Sequence, residues 1–385
     1  MNLEGRVMID LPRTAGLPVK VEFARPGDIC ALLRGRTATE ALELIPAVYS
    51  ICATAQAHAA VTALEQASGV AVSPKTQKAR KALTGMETLR EHLLRIALDW
   101  PGFLDELPRG SNVRSAMALV PRLTQALFKC ASAFTLGREA CPDPAEAQDV
   151  IDKAEALLAA EVFAQPLNDW LERTEAGELA AWADEGSTVA ARLVANVVQA
   201  STERAVNGLP VALSMPLDDD IKDWLRDQDQ TRLPTNTATQ LVPETTLYSR
   251  RISDPAVSAL TGSELQARLI ARLVELARLP GELQALIAED DANIPAARQT
   301  DGFGWSAIEA ARGLLIHAVQ LRDGRIVDYR VLPPTRWNFD AEGVAKRCLT
   351  KLDFTRGDDD AALLRQANLI VNAIDPCVGH EVRVH

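Results

Sequence analysis

The side chains best suited to bind a soft metal in this chain are six cysteines and five histidines. The cysteines (Cys30, Cys52, Cys130, Cys141, Cys348 and Cys377) are scattered, with no CxxC pair among them. A closed zinc site needs paired ligand spacings, and Cys130 and Cys141 have no other ligand beside them, so none is expected there. Cys377 is more suggestive, because it follows Asp375-Pro376 and precedes His380 and His385 in DPCVGHEVRVH. A thiolate and an imidazole so placed make half a ligand set for a soft or borderline metal. Cys52 opens an alanine-rich stretch, where an inert buried thiol is the competing reading. Cys30, Cys130, Cys141 and Cys348 are expected to be structural, and His385 to face solvent.

Composition narrows the partners. A formal net charge of −11 and a sequence pI near 5.1 argue against nucleic acid and anionic membranes, which require a basic face. No secretory signal is read at the start, where Glu4 and Asp10 interrupt MNLEGRVMIDLP, and no apolar run is long enough to span a bilayer. Scattered cysteines in such a chain read as reduced thiols of a cytoplasmic protein. With 47% hydrophobic but only 4% aromatic residues, the expected class is α+β, predominantly α, in a single domain over 1–385.

The elements that must position these residues can be read in order. GRVMIDLP and LPVKVEFARP alternate around Gly-Leu-Pro, which predicts an N-terminal β-hairpin within 1–36. A mainly helical region follows over 37–300. It has a helical pattern from Thr37 to Ser68, then a capping box of Thr84 with Glu87 opening an amphipathic helix. A loop is expected over 106–117 and a strong helix start at Asp143-Pro144. STVAARLVANVVQASTERA is apolar on most faces and predicts a central helix, while 206–260 reads as irregular. Ser263 with Gln266 opens a further helix. Over 301–385 the Gly-x-Gly of DGFG reads as a turn. LLIHAVQL and RIVDYRVL form a hairpin through Asp323-Gly324, and a helix from about Ala362 ends before Pro376.

Phosphate-loop, dinucleotide-fold, HExxH and GxSxG motifs are absent. Three separate segments, however, resemble the large subunit of nickel–iron hydrogenases. GFGWSAIEAARGLLIHAVQLRDGRIVDYRVLPPTRWNF, 302–339, is similar to that family's Glu-Ala-Pro-Arg-Gly run, hairpin and Pro-Thr-x-Trp-Asn. LRGRTATEALELIPAVYSICATAQAHAAVTALE, 33–65, looks like the segment leading to its first CxxC, and Asp375-Pro376-Cys377 like its closing DPCxxC. The resemblance implies a large-subunit-like helical core with β-hairpins near both ends. It covers about a quarter of the chain and leaves 66–300 matched only in helical character.

In that family two CxxC motifs hold nickel and an iron carrying cyanide and carbon monoxide. Here the first positions are Tyr49 and Cys377, and the second are Cys52 and His380. The family histidine falls at Gln56, the processing histidine at Arg383, and the glutamate before the Leu-Arg-Gly-Arg segment at Cys30, or at Asp28 with one gap. With only Val384 and His385 after Arg383, no processing of a C-terminal extension is expected. The resemblance therefore implies lost nickel ligands and a retained pocket for diatomic ligands. In it Cys52 and Cys377 contact iron, Arg312 and Thr335 hydrogen-bond cyanides, and Pro334 lines the wall; His380 is either a ligand or a tail histidine.

The chain resembles the HupK/HoxV group of assembly proteins, which implies a non-catalytic scaffold that holds or transfers the Fe(CN)2CO fragment without nickel. The implied partners are a HypC-type chaperone, a HypD-type iron–sulfur protein and the large-subunit precursor. Two alternatives stand beside it, a metal-free mimic that occupies the large subunit's partners and a divergent hydrogenase.

Overall fold

The computed structural model describes all residues except 1–4, 14–16, 25–28, 50, 109, 111–112, 130–131, 201–214, 228–232, 235–241, 289–299 and 353–359. Asp28 and Cys130 lie outside the described residues, as do much of the irregular 206–260 segment and the end of the 187–205 helix.

Two strands, β1 (Arg6–Leu11) and β2 (Lys20–Ala24), form the expected antiparallel hairpin, with Val7, Ile9 and Leu11 alternating into a core. Helices α1 (Ile29–Leu33), α2 (Ala38–Val48), α3 (Ala53–Ser68) and α4 (Pro74–Leu98) follow, and then a 3-10 turn over Trp100–Leu104. The chain continues through α5 (Val113–Phe128), α6 (Pro144–Leu158), α7 (Leu167–Leu171), α8 (Ala176–Glu185) and α9 (Val189–Ala200). Next come α10 (Asp218–Arg226), α11 (Leu247–Arg251), α12 (Pro255–Ser258) and α13 (Glu264–Ala288). Strands β3 (Phe303–Ala310), β4 (Gly313–Arg322) and β5 (Arg325–Leu332) form a second sheet in that order. After it stand α14 (Pro334–Asn338), α15 (Val344–Leu349), α16 (Asp360–Ile374) and β6 (Gly379–Val384).

Several expectations match in detail. Asp143 caps α6 by accepting from the Glu146 amide, with Pro144 at the first helical position. The β4–β5 turn carries Asp323 and Gly324 at φ 53° and 71°, the pair of left-handed residues a type I′ turn requires.

Others are corrected. The Thr84–Glu87 capping box does not exist. α4 starts well before it, at Pro74, with the Ser73 side chain accepting from the Thr76 amide. Thr84 lies mid-helix, its hydroxyl bonded to the Arg80 carbonyl. Within the predicted 106–117 loop α5 already begins at Val113. The helix Val189–Ala200 is not the central one: it buries Val189, Leu193, Val194 and Val197, while Arg192 reaches out to Glu106. The central role falls to α13, buried on every side over most of its length and packed on α4, α6, α7, α9 and α16.

Two strands escaped the sequence reading. FGWSAIEA, after Gly302, is not a turn but strand β3, and α3 lies along it. A Cβ on Gly304 would fall 2.1 Å from the Ala63 carbonyl oxygen and 2.5 Å from the Ala67 amide nitrogen, so glycine is what allows that approach. The last residues, which read as a tail, form β6, paired in parallel with β1 from Arg6↔Gly379 to Leu11↔Val384.

Candidate metal-fragment site

Cys52 occupies the N-cap position of α3, but its side chain makes no cap hydrogen bond. The open amides of that helix start are satisfied from another element: Thr54 and Ala55 each donate to the Glu87 carboxylate at 2.9 Å. Glu87 is thus a cap supplied by α4, which leaves the Cys52 sulfur outside the capping arrangement.

Cys377 is placed by the end of α16. Asp375 adopts φ 65°, a strained choice for a residue with a Cβ, and Pro376 prevents the helix from continuing. The Cys377 amide donates to the Thr335 hydroxyl at 2.9 Å, and that hydroxyl lies 2.8 Å from the Cys377 sulfur. With one lone pair taken by the amide proton, the Thr335 hydroxyl can either give its own proton to the sulfur or accept the thiol's. Pro334 and Thr335 open α14 and are buried. α14 is tied to the β3–β4 turn through Asn338, whose side-chain amide donates to the Arg312 carbonyl at 3.3 Å.

Arg312, in that turn, is 4% exposed. Its Nε donates to Asp375 and its Nη2 to Glu91, both at 3.2 Å, while Nη1 is buried with no hydrogen-bond partner. Asp375 also faces Arg95 at 3.0 Å and Arg272 at 3.5 Å. Burial alone would raise the Asp375 pKa, but the three arginines outweigh it and hold the carboxyl well below the usual range. His92 donates from Nε2 to the Ala311 carbonyl at 2.8 Å, fixing the turn from behind.

The two thiols are electrostatic neighbours. Burial pushes the Cys52 thiol up, and negative charge on Cys377 would push it further. Burial also raises Cys377, against the pull of Thr335 and Arg312. Arg312 responds to both sulfurs. Tyr49, at the C-cap of α2, is raised by burial and then by Cys30, Cys52 and Cys377, so its phenol stays protonated among three thiols. His380 goes elsewhere: from β6 its Nε2 meets Asn368 Oδ1 at 3.1 Å. His385 Nε2 meets Asp10 at 2.8 Å.

Cys52, Cys377, Arg312, Thr335 and Pro334 therefore belong to one neighbourhood, with His380 on its α16 side. Among the described residues no group of three or more His, Cys, Asp or Glu side chains could hold a metal. The described cysteines, Cys30, Cys52, Cys141, Cys348 and Cys377, form no disulfide. Sequence reasoning missed Glu87, Arg95 and Arg272, since a charged residue on a helix ordinarily signals a solvated face. A cleft of about 880 Å³ between α3, α4, α13 and β3 is separate: His58 lines it, and neither Cys52 nor Cys377 does.

No family model matches the chain. In fold it is similar to the Ni-Fe-Se hydrogenase from D. vulgaris Hildenborough, with a TM-score of 0.64 at 16% identity over 94% of this chain and 93% of that one. It is also similar to an NAD+-reducing [NiFe]-hydrogenase, with a TM-score of 0.54 at 17% identity over 94% and 92%. The fold is that of a nickel–iron hydrogenase large subunit.

The curated relatives sharpen this. The hydrogenase expression/formation protein HupK of Azotobacter vinelandii is 29% identical over 99% of both chains. HoxV of Cupriavidus necator is 29% identical over 77% of this chain and 75% of its own. HupK of Bradyrhizobium diazoefficiens is 38% identical over 36% of this chain, little more than a third (38%) of its own length. Over nearly its whole length the chain is thus similar to hydrogenase expression/formation proteins of the HupK/HoxV kind.

Proposed function

We propose that the chain is a scaffold in hydrogenase maturation that holds the Fe(CN)2CO fragment and passes it to the large-subunit precursor. The relatives' designation as hydrogenase expression/formation proteins supports the maturation role. The observation that carries the finer reading is Arg312 Nη1, a buried guanidinium nitrogen without a hydrogen-bond partner, on a side chain electrostatically coupled to both thiols. A buried donor left open costs about 1–3 kcal/mol unless a ligand completes it, and a metal-bound cyanide is an anionic acceptor of the right kind. Two thiols cannot fill an iron's coordination sphere; a fragment that arrives with its own cyanides and carbonyl needs no further protein ligand. Holding it requires both raised thiols to lose their protons, so loading releases acid.

Tyr49 and His380 stand where nickel would need thiolates, and the reading is therefore of a non-catalytic protein that leaves the site half built. No described helix is long and apolar enough to cross a membrane, in keeping with a cytoplasmic place of work. A HypC-type chaperone and a HypD-type iron–sulfur protein are the proposed donors. The test is anaerobic purification of the full chain with the maturation proteins, followed by infrared spectroscopy. Cyanide and carbonyl bands are expected in the wild type and absent in Cys52→Ala and Cys377→Ala. Their absence from wild-type protein at stoichiometric amounts would leave the metal-free mimic as the better account.

A further inference from the structure

Behind Cys52 runs a chain of hydrogen bonds that the scaffold role does not by itself require. Gln56, one helical turn along α3 and 1% exposed, donates from Nε2 to the Cys52 sulfur at 3.8 Å. Its Oε1 lies 2.8 Å from Nε2 of His317, and Nδ1 of His317 lies 2.7 Å from the Tyr329 hydroxyl. His317 and Tyr329, on β4 and β5, are both 0% exposed.

The protonation of this chain can be worked out. Burial lowers the His317 pKa to about 3, so the ring is neutral, with one donor and one acceptor nitrogen. The Gln56 carbonyl oxygen can only accept, so His317 carries its proton on Nε2. Its bare Nδ1 then takes the Tyr329 proton. Every donor points the same way: Tyr329 to His317, His317 to Gln56, Gln56 to the sulfur. Bonds aligned in series polarise one another, and the effect is collected on the last acceptor.

We propose that Gln56, His317 and Tyr329 are positioning residues for Cys52, a polarised chain that orients its sulfur and stabilises it as a metal ligand. Groups behind a ligand typically change metal affinity by about 10–100-fold when removed. The three side chains come from three elements, so the chain also registers α3 against the β3–β4–β5 sheet. A single rotamer of Gln56 serves both ends, since the amide presents donor and acceptor on opposite sides. The inference builds on the reading of Cys52 as a ligand, but not on the identity of the cargo.

The probe is Cd2+ alone, titrated into the reduced full chain under anaerobic conditions and followed by thiolate-to-metal absorption. The signal assigned to Cys52 is the part lost in Cys52→Ala. Gln56→Leu is expected to weaken that binding about tenfold. Gln56→His, which can still donate to sulfur, is expected to restore most of it, and Tyr329→Phe to give a smaller loss. Thermal unfolding of each variant checks the fold. Equal binding by wild type and Gln56→Leu overturns the proposal. So does equal weakening by Gln56→Leu and Gln56→His, which would assign the effect to packing, and so does a wild type with no Cys52-dependent signal. The scaffold reading is judged separately, by its infrared bands.

Discussion

At the scale of single residues, the site is an exercise in leaving charges half satisfied. Asp375, itself buried, holds Arg95, Arg272 and Arg312 by ion pairs of 3.0–3.5 Å, with only Arg95 reaching solvent. Removing one partner of such a buried set strands the others, at a cost of about 3–5 kcal/mol. Asp375→Asn, nearly the same shape, should lower unfolding free energy by about that much in urea titrations; a loss within error of zero would mean that the arginines find other partners. Arg312→Lys is a milder change of stability but a harsher one of function, because an ammonium lacks the planar fork that serves Asp375, Glu91 and the open position together. It should retain iron poorly, read as weaker infrared bands per mole of chain. The resemblance singled out Cys52, Cys377, Arg312 and Thr335 in sequence as candidates. Asp375 was quoted only as part of a motif, since nothing in its neighbours announces that arginines from α4 and α13 converge on it.

At the scale of elements, capping and close approach decide where the thiols stand. Glu87 supplies both acceptors at the start of α3, and Glu87→Ala leaves two amides open. A loss of about 2–3 kcal/mol is expected from such buried groups. Glu87→Gln, which keeps one acceptor, should lose less; equal losses would argue against the cap. Gly304→Ala should be worse than either, because its new methyl meets backbone atoms of α3 that cannot move alone. Soluble yield and far-UV circular dichroism report it, and a well-folded variant would refute the close approach. The β4–β5 hairpin was legible because Asp-Gly states its own backbone geometry. Strand β3 was not, since its Gly304 serves an adjacent helix and, with Gly302 just before the strand, mimics a turn. Thr84 and Glu87 had capping-box spacing, and Glu87 does cap a helix, though not its own. Local pattern names the chemistry of a residue but not its address.

At the scale of the whole molecule, acid is the expected weakness. His58, His92 and His317 are buried, and burial holds each pKa near 3. An unfolded histidine binds its proton near pH 6.5, so these three contribute full stability above that value and lose it as pH falls toward 3. Together they impose a slope of up to about 4 kcal/mol per pH unit, against a total stability of order 5–15 kcal/mol. The Asp375 carboxyl, held low, adds its own loss only below about pH 4. Urea midpoints should therefore fall steeply between about pH 6.5 and 5, and a flat profile over that interval would show that the three rings are not held neutral. Fold class was legible at this scale from alanine, leucine and helical periodicity. The strand β6 was not, because its partner β1 lies at the far end of the sequence and no local signal links the two.

That parallel pairing sets an order of events during biosynthesis. Domains tend to fold from the N-terminal side as the chain emerges, and Cys52 leaves the ribosome hundreds of residues ahead of Cys377. Yet Cys377 stands between α16 and β6, and β6 finds its place only by zipping onto β1. Contacts so distant in sequence form late. The second thiol therefore reaches its place only after translation of strand β6, so a chain stalled or truncated shortly before that point would be folded over most of its length and still lack one of the two thiols that the proposed scaffold needs.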